Sequence, residues 1–398
     1  MPHRLRVLHV IQNLNYGGME RVLSDIALRC DSDRFETHVL CLRYLGRFAK
    51  DLENAATLHV AAPMSRASMV WPRALARQIR SIAPDVVHSH SGVWYKASLG
   101  SLLAGVPLVL HTEHGRPKPD GIKGRLIDRI GAAGSDVVVA VSEPLAAQLA
   151  RSLAIPKRKL VVIPNGVDTQ SYRPQADTGR LRAELGLGAG TPIIGSIGRL
   201  EPIKGYEVMI DAFARLRVRS AYGGAVLVIA GEGSERGALE ELVRARGLEG
   251  RVFLIGWRDD VVDLHSAFSI FTMSSRSEGT SISLLEAMSA GLAPVVTDVG
   301  GNAAVLGDGL RNCLVPSEQP EALASAWEET LLSAKAVEHY RTAARQRVID
   351  AFNVDAMVRA YERIYVGAGR ELSLASHESG VRGVPPSPRS SAECPPVM

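Results

Sequence analysis

Val, Leu and Ile concentrate in short runs along the first half of the chain: VLHVI (7–11), THVLCL (37–42), DVVHSH (85–90), PLVLHT (107–112), DVVVAV (136–141) and KLVVIP (159–164). Longer stretches with apolar residues at helical spacing separate them. Unbroken apolar strands alternating with helices predict a parallel sheet covered on both faces. The pattern then repeats, with PIIGSIG (192–198), AVLVIA (225–230), VFLIG (252–256) and FSIFT (268–272). Between the two series, TQSYRPQAD (169–177) is polar and broken by Pro174, which marks a linker. The expected organisation is a first α/β domain over 1–170 and a second over 171–350, ending in helices over 320–333 and 336–366. The tail over 371–398, rich in Ser, Pro, Gly and Arg, cannot bury a core and is expected to be disordered.

Composition agrees with two domains. The chain has 398 residues, 46% of them hydrophobic, and one domain per roughly 100–200 residues gives two or three. Cys30, Cys41, Cys313 and Cys394 are scattered, with no C-x-x-C and no histidine cluster at zinc spacing along the sequence. We therefore expect reduced thiols in a cytosol and no structural metal. The N-terminal apolar run is too short for a signal peptide, and no stretch approaches the ~18 apolar residues of a membrane helix. Net charge is only +4, but it is unevenly spread. Up to Arg173 there are 23 Lys and Arg against 14 Asp and Glu; beyond it there are 23 against 28. A basic first domain suggests an anionic partner, either a membrane surface or a phosphate-bearing acceptor.

The densest chemistry lies in SSRSEGTSISLLEAMSAGLAPVVTDVGG (274–301). Ile282, Leu284, Leu285, Ala287 and Met288 have helical spacing and Gly291 is a stop signal, so a helix should start near Ser281. Backbone N–H groups from Thr280 to Ser283 would then form an anion site at the positive end of the helix dipole. Glu278 sits just before that site. Glu286 lies more than one turn inside the helix among apolar neighbours, where a charge needs a partner. The two carboxylates can thus serve different parts of one ligand, such as a phosphate flanked by sugars.

Other strand ends carry candidates. Gly17-Gly18, before an amphipathic helix, either forms a plain tight turn or lets the backbone approach a ligand. In HTEHGR (111–116), His111 is still on a strand, whereas His114 follows it beside Gly115 and Arg116. His88 and His90 are weaker candidates and stay outside the set. Ser142 in AVSEPLAAQL should cap a helix, and IPNGVD (163–168) marks a turn. Arg199 and Lys204 straddle a turn at the start of a helix, well placed to neutralise a diphosphate. GEGSERG (231–237) has the wrong spacing for a dinucleotide loop, which argues against a dehydrogenase.

Taken together, SEGTSISLLEAMSAGLAPVVTDVGG, GRLEPIKG, EHGR and the paired glycines resemble the retaining glycosyltransferases of family 4, over roughly residues 5–366. The resemblance implies the GT-B fold: α/β, with two Rossmann-like doubly wound domains facing a central cleft. It implies that the helix over 351–370 crosses back to the first domain. Donor diphosphate would meet Gly17, Gly18, Arg199, Lys204, Thr280, Ser281 and Ile282. Glu278 and Gly279 would bind the donor sugar, Glu286 the ribose, and His114 the anomeric centre, making His114 and Glu278 the catalytic pair. Trp257 and Arg258, in GWRDDV, would neighbour the base. The substrates implied are a UDP- or GDP-sugar and a glycan or lipid-linked acceptor, as in exopolysaccharide assembly, with peripheral contact to an anionic membrane. No metal, other cofactor or nucleic acid is expected. Lys204 and Glu278 both face the cleft in this picture, so replacing either by alanine should abolish transfer and leave the melting temperature nearly unchanged. The alternatives are a nucleotide-sugar epimerase or a noncatalytic nucleotide-sugar-binding protein on the same fold.

Overall fold

The computed structural model describes residues 4–15, 17–63, 71–115, 121–219 and 224–368. The tail over 371–398 and Arg116 lie outside them. The first sheet holds seven parallel strands in the order β3-β2-β1-β4-β5-β6-β7: β1 Leu5–Asn13, β2 Phe35–Tyr44, β3 Thr57–Val60, β4 Val86–His90, β5 Leu108–Glu113, β6 Val137–Ala140 and β7 Leu160–Val162. The second holds six in the order β10-β9-β8-β11-β12-β13: β8 Ile193–Ile197, β9 Val226–Ala230, β10 Val252–Leu254, β11 Ile270–Met273, β12 Ala293–Thr297 and β13 Leu314–Val315. Both sheets are doubly wound, as expected from the apolar runs. β3, β12 and β13 were not foreseen. β3 is a half-exposed edge strand and β13 has two residues, so neither shows a buried run, while APVVT of β12 lay within the stretch read for its glutamates.

Six helices matter below: α1 Gly18–Arg29, α2 Ile122–Ala133, α3 Tyr206–Arg219, α4 Ile282–Ser289, α5 Ala334–Ala351 and α6 Val354–Arg363. Alternate residues of β1 face opposite layers. Val7 packs with Val22 and Ile26 of α1, whereas Leu8 and Val10 pack with Leu75 and Ile79 on the far side. In the second domain Ile194 and Leu227 meet Met209 and Phe213 of α3 on one face, and Val226, Phe271, Leu284 and Met288 fill the other.

The chain crosses between the sheets twice, and the crossings lie side by side. Val167 N–H donates to the Phe352 carbonyl (2.8 Å) and Val354 N–H to the Val167 carbonyl (3.2 Å). Arg29 of α1 clamps both segments through Asp168 (2.6 Å) and Asp355 (3.1 Å). This junction corrects the single helix expected over 336–366. The chain breaks at Phe352 and Asn353, and the Asn353 side chain accepts from the N–H groups of Asp355 and Ala356 to start α6. From there Met357, Val358, Tyr361, Ile364 and Tyr365 pack into the core of the first sheet, so the return crossing expected from the family resemblance is present.

A cap of this kind stabilises a helix by about 1 kcal/mol. Asn353→Ala should therefore lower unfolding free energy by about that amount in urea titrations, while Asn353→Asp should cost far less.

Candidate functional site

Carboxyl ends of parallel strands are where such sheets bind ligands, and here those of the two sheets meet. β1 leads through Gly17 into α1, and the loop after β11 leads through Glu278 into α4. The two helix starts face each other: a Cβ on Gly18 would sit 3.4 Å from Cγ1 of Ile282. Ser281 caps α4 by accepting from Leu284 N–H (3.4 Å), as its position in the sequence implied. The N–H groups of Thr280 to Ser283 have no acceptor among the described residues. Two positive helix ends thus converge on one place.

Residues 278–281 are stitched to the first domain. Thr280 Oγ1 donates to the Val141 carbonyl, and Asn165 Nδ2 donates to the Thr280 carbonyl (2.8 Å). A Cβ on Gly279 would lie 2.2 Å from the His114 carbonyl oxygen, so only glycine permits this approach. The segments around Val141 and Asn165 are therefore part of the seat of the glutamate loop. Ser142 also caps its helix as expected, accepting from Leu145 N–H.

Lys204 follows β8 and reaches Glu278. Its Nζ lies 2.6 Å from Oε1, to which Ser275 Oγ also donates (2.6 Å). The side chains of this pair are only 18% and 9% exposed. Arg199 is exposed at the end of the same loop, and its charge acts on Glu20 of α1. Glu20 folds back over Gly17 and accepts from its own backbone N–H; burial raises its pKa.

Glu286 is 8% exposed and has the partners its apolar setting demands. The Tyr172 hydroxyl bonds its carboxyl, and Arg21 of α1 lies nearby. Burial dominates and raises its pKa to about 7. Arg21 and Tyr172 were not foreseen, because neither carries a motif. Trp257 sits under Arg47 of the first domain, with the guanidinium 5.2 Å from the ring centre. Arg258, in the same loop, has its guanidinium held by Asp260 (2.6 Å) and Glu184 (2.7 Å), two residues of its own domain.

His114 stands at the end of a row of imidazoles. His114 Nε2 is 3.0 Å from His90 Nδ1, and His90 Nε2 is 3.1 Å from His9 Nδ1. His88 lies tilted beside them and is bonded to Tyr365 (2.8 Å) and Thr112 (2.7 Å). Burial keeps all four rings neutral, with His114 lowered to about 4 and His9 to about 3. Neutral rings carry one proton each, so the row has two self-consistent arrangements. One leaves an N–H at His114 Nδ1, the other a lone pair, and that atom has no hydrogen-bond partner among the described residues. His111 instead lies flat against Trp94 (4.0 Å) and bonds Ser89 (2.9 Å), a structural place.

The sequence showed no histidine cluster because β1 pairs β4, which sets His9 beside His88 across some eighty residues. Nitrogens of His9, His88 and His90 come within 4.8 Å of one another. Both ring nitrogens of His88 and of His90 nevertheless face hydrogen-bond partners already.

Two family descriptions match the chain: Glycosyltransferase Family 4 over residues 16–171 and Glycosyl transferases group 1 over 177–347. Together with two parallel-sheet domains meeting at a cleft, they define a glycosyltransferase of the GT-B fold. The chain belongs to glycosyltransferase family 4. It is 25% identical over 329 residues to the Escherichia coli UDP-Gal:alpha-D-GlcNAc-diphosphoundecaprenol alpha-1,3-galactosyltransferase, covering 79% of this chain and 82% of that one. With the alpha-maltose-1-phosphate synthase of Mycobacterium tuberculosis it shares 32% identity over 300 residues, covering 68% and 76%. Anabaena HepE (Alr3699), solved with UDP and glucose, has the same fold, with TM-score 0.79 and 21% identity over 91% of this chain and 100% of that one.

Two predictions follow from the carboxylates. The ion pair changes what is expected of Lys204→Ala and Glu278→Ala: each should cost about 1–2 kcal/mol in unfolding, because each leaves a part-buried charge without its counter-ion. The double variant should cost less than the sum, which a double-mutant cycle in urea reads directly. For Glu286, a folded pKa of about 7 against an ordinary 4.5 means that its protonated form stabilises the native state fully below pH 4.5. That stability is lost as pH rises through 7. Glu286→Gln should resemble the parent at pH 4 and exceed it by about 1–3 kcal/mol at pH 8.

Proposed function

We propose that the chain is a retaining, metal-independent glycosyltransferase that moves a hexosyl group from a UDP- or GDP-sugar to a glycan or lipid-linked saccharide in bacterial polysaccharide synthesis. The convergence of the α1 and α4 N-termini beside Lys204 and Arg199 carries this reading. A nucleoside diphosphate leaving group needs its negative charge met, and oriented N–H groups with two cations supply that without a divalent ion. On donor binding Lys204 exchanges the Glu278 carboxylate for the diphosphate. Glu278, released, accepts from hydroxyls of the donor sugar, and Glu286 accepts from the ribose hydroxyls. His114, neutral, presents Nδ1 to the anomeric centre, where a lone pair stabilises developing positive charge.

The Escherichia coli relative, named for a diphosphoundecaprenol-linked acceptor, supports the lipid-linked choice. UDP bound to HepE supports a uridine donor. Retention and the polysaccharide pathway rest on the family resemblance.

Thermal shift with UDP, GDP, ADP and their sugar conjugates tests the donor site, since a ligand that binds the native state raises its stability. One base should raise the melting temperature selectively, and chelation of divalent ions should not reverse the shift. His114→Ala should keep that shift and lower turnover by about 10²-fold, the order expected for loss of a transition-state contact. NMR of the product should show the donor's anomeric configuration. Absence of any nucleotide shift would overturn the proposal.

A further inference from the structure

His90 on β4 and His9 on β1 are both buried, and each side of the His90 ring meets another imidazole. His90 Nδ1 lies 3.0 Å from His114 Nε2, and His90 Nε2 lies 3.1 Å from His9 Nδ1. His88 is tilted against His9 and His90 but takes no part in this line, because its own nitrogens are bonded to the hydroxyls of Tyr365 and Thr112. The backbone of His114 is held separately. Its N–H donates to Ser91 Oγ (2.9 Å), and its carbonyl lies against Gly279. His90 is thus the partner that is left to orient the His114 ring.

A neutral imidazole donates from one nitrogen and accepts at the other. The two links must therefore point the same way, and placing the proton on one ring places it on all three. Suppose that the protons point outward, from His9 Nδ1 to His90 and from His90 Nδ1 to His114. His114 then carries an N–H at Nδ1, a buried atom with no partner among the described residues. Buried donors are seldom left in that state. Suppose instead that they point inward, with His114 Nε2–H donating to His90 and His90 Nε2–H donating to His9. The third proton then sits on His9 Nε2, which is not one of the buried atoms without a partner. What remains unmet is a lone pair at His114 Nδ1. His114 packs against Gly279 just before α4, and the positive start of that helix favours a lone pair over an N–H.

We propose that His90 and His9 are positioning residues that hold His114 as its Nε2–H tautomer, so that Nδ1 offers a lone pair to the cleft. Both act through His114, since the nitrogen a histidine leaves open is set by the hydrogen bond that its other nitrogen makes. The lone pair is in place before any ligand arrives, and no proton has to move when one binds. That it then faces an anomeric centre rests on the proposed transferase function; the tautomer stands on the row itself.

Ring ¹⁵N NMR of the full unliganded chain, labelled at histidine and with His114→Gln to identify the signals, reads the tautomer directly. His114 should show a protonated Nε2 and an unprotonated Nδ1. The reverse assignment, or one averaged between the two, overturns the proposal. This reading needs no change within the row, so it does not depend on how variants of the row fold. His90→Leu removes the acceptor of the His114 proton and His9→Phe that of the His90 proton, and each should bring the His114 tautomers into exchange. His90→Leu should also lower kcat by at least about tenfold, the lower end of the cost of losing a histidine's outer partner, while KM for the donor stays unchanged. His90→Asn, whose amide oxygen can take the place of Nδ1, should restore the single tautomer and most of the rate. A His90→Leu or His9→Phe chain that keeps the parent's tautomer, or a His90→Asn chain no better than His90→Leu, would overturn the positioning role. The inward tautomer in a chain that transfers no sugar would uphold the row and count against the transferase reading alone; transfer by a chain with the outward tautomer would do the reverse.

Discussion

Two helices that meet start to start place like partial charges together in a half-buried setting, and much of the cleft is arranged around that fact. α1 and α4 come within van der Waals reach at Gly18 and Ile282, so their dipoles oppose rather than cancel. Lys204 and Arg199 add full positive charges. Such a concentration is tolerable only with negative charge close by, and the unliganded protein supplies it from Glu278 and Glu20. The glycine at 279 follows from the close approach of the two domains, because a Cβ there would lie 2.2 Å from the His114 carbonyl oxygen.

Residues held in common by both domains keep this arrangement in place. Asn165 and the Val141 carbonyl hold the Thr280 segment, Tyr172 and Arg21 attend Glu286, and α6 returns to the first sheet with Tyr361 and Tyr365. Tyr365 reaches His88, whose ring lies tilted against the His9 and His90 rings behind His114. The turns around Tyr361 and Tyr365 thus support a row of neutral imidazoles that begins on the first strand. Burial, more than any neighbouring charge, sets the protonation of these groups.

How much of this could be read from residues alone depended on range. The strands with continuous apolar runs, the Ser281 and Ser142 caps, and the helix start at Ile282 are local patterns, and they were legible. Lys204 was legible as a cation beside a helix, but its pairing with Glu278, 74 positions on, was not. His9 and His90 illustrate the limit well. Each is unremarkable in its own strand, and only the β1–β4 pairing makes them neighbours. The ion pairs of Arg258 with Glu184, 74 positions back, and with Asp260 were likewise not visible in its own loop. The break at Asn353 was hidden because the apolar spacing on either side continues the helical period, while the hydrogen bonds that interrupt it come from Val167.

Glu20 gives the anion site a further property. Its carboxylate, resting over Gly17 on its own backbone N–H and within the field of Arg199, already occupies the start of α1. In the proposed donor complex an entering diphosphate would therefore exchange one anion for another. Its net affinity would reflect the difference between two charged guests, with the departing side chain returning to water, where a carboxylate is well solvated.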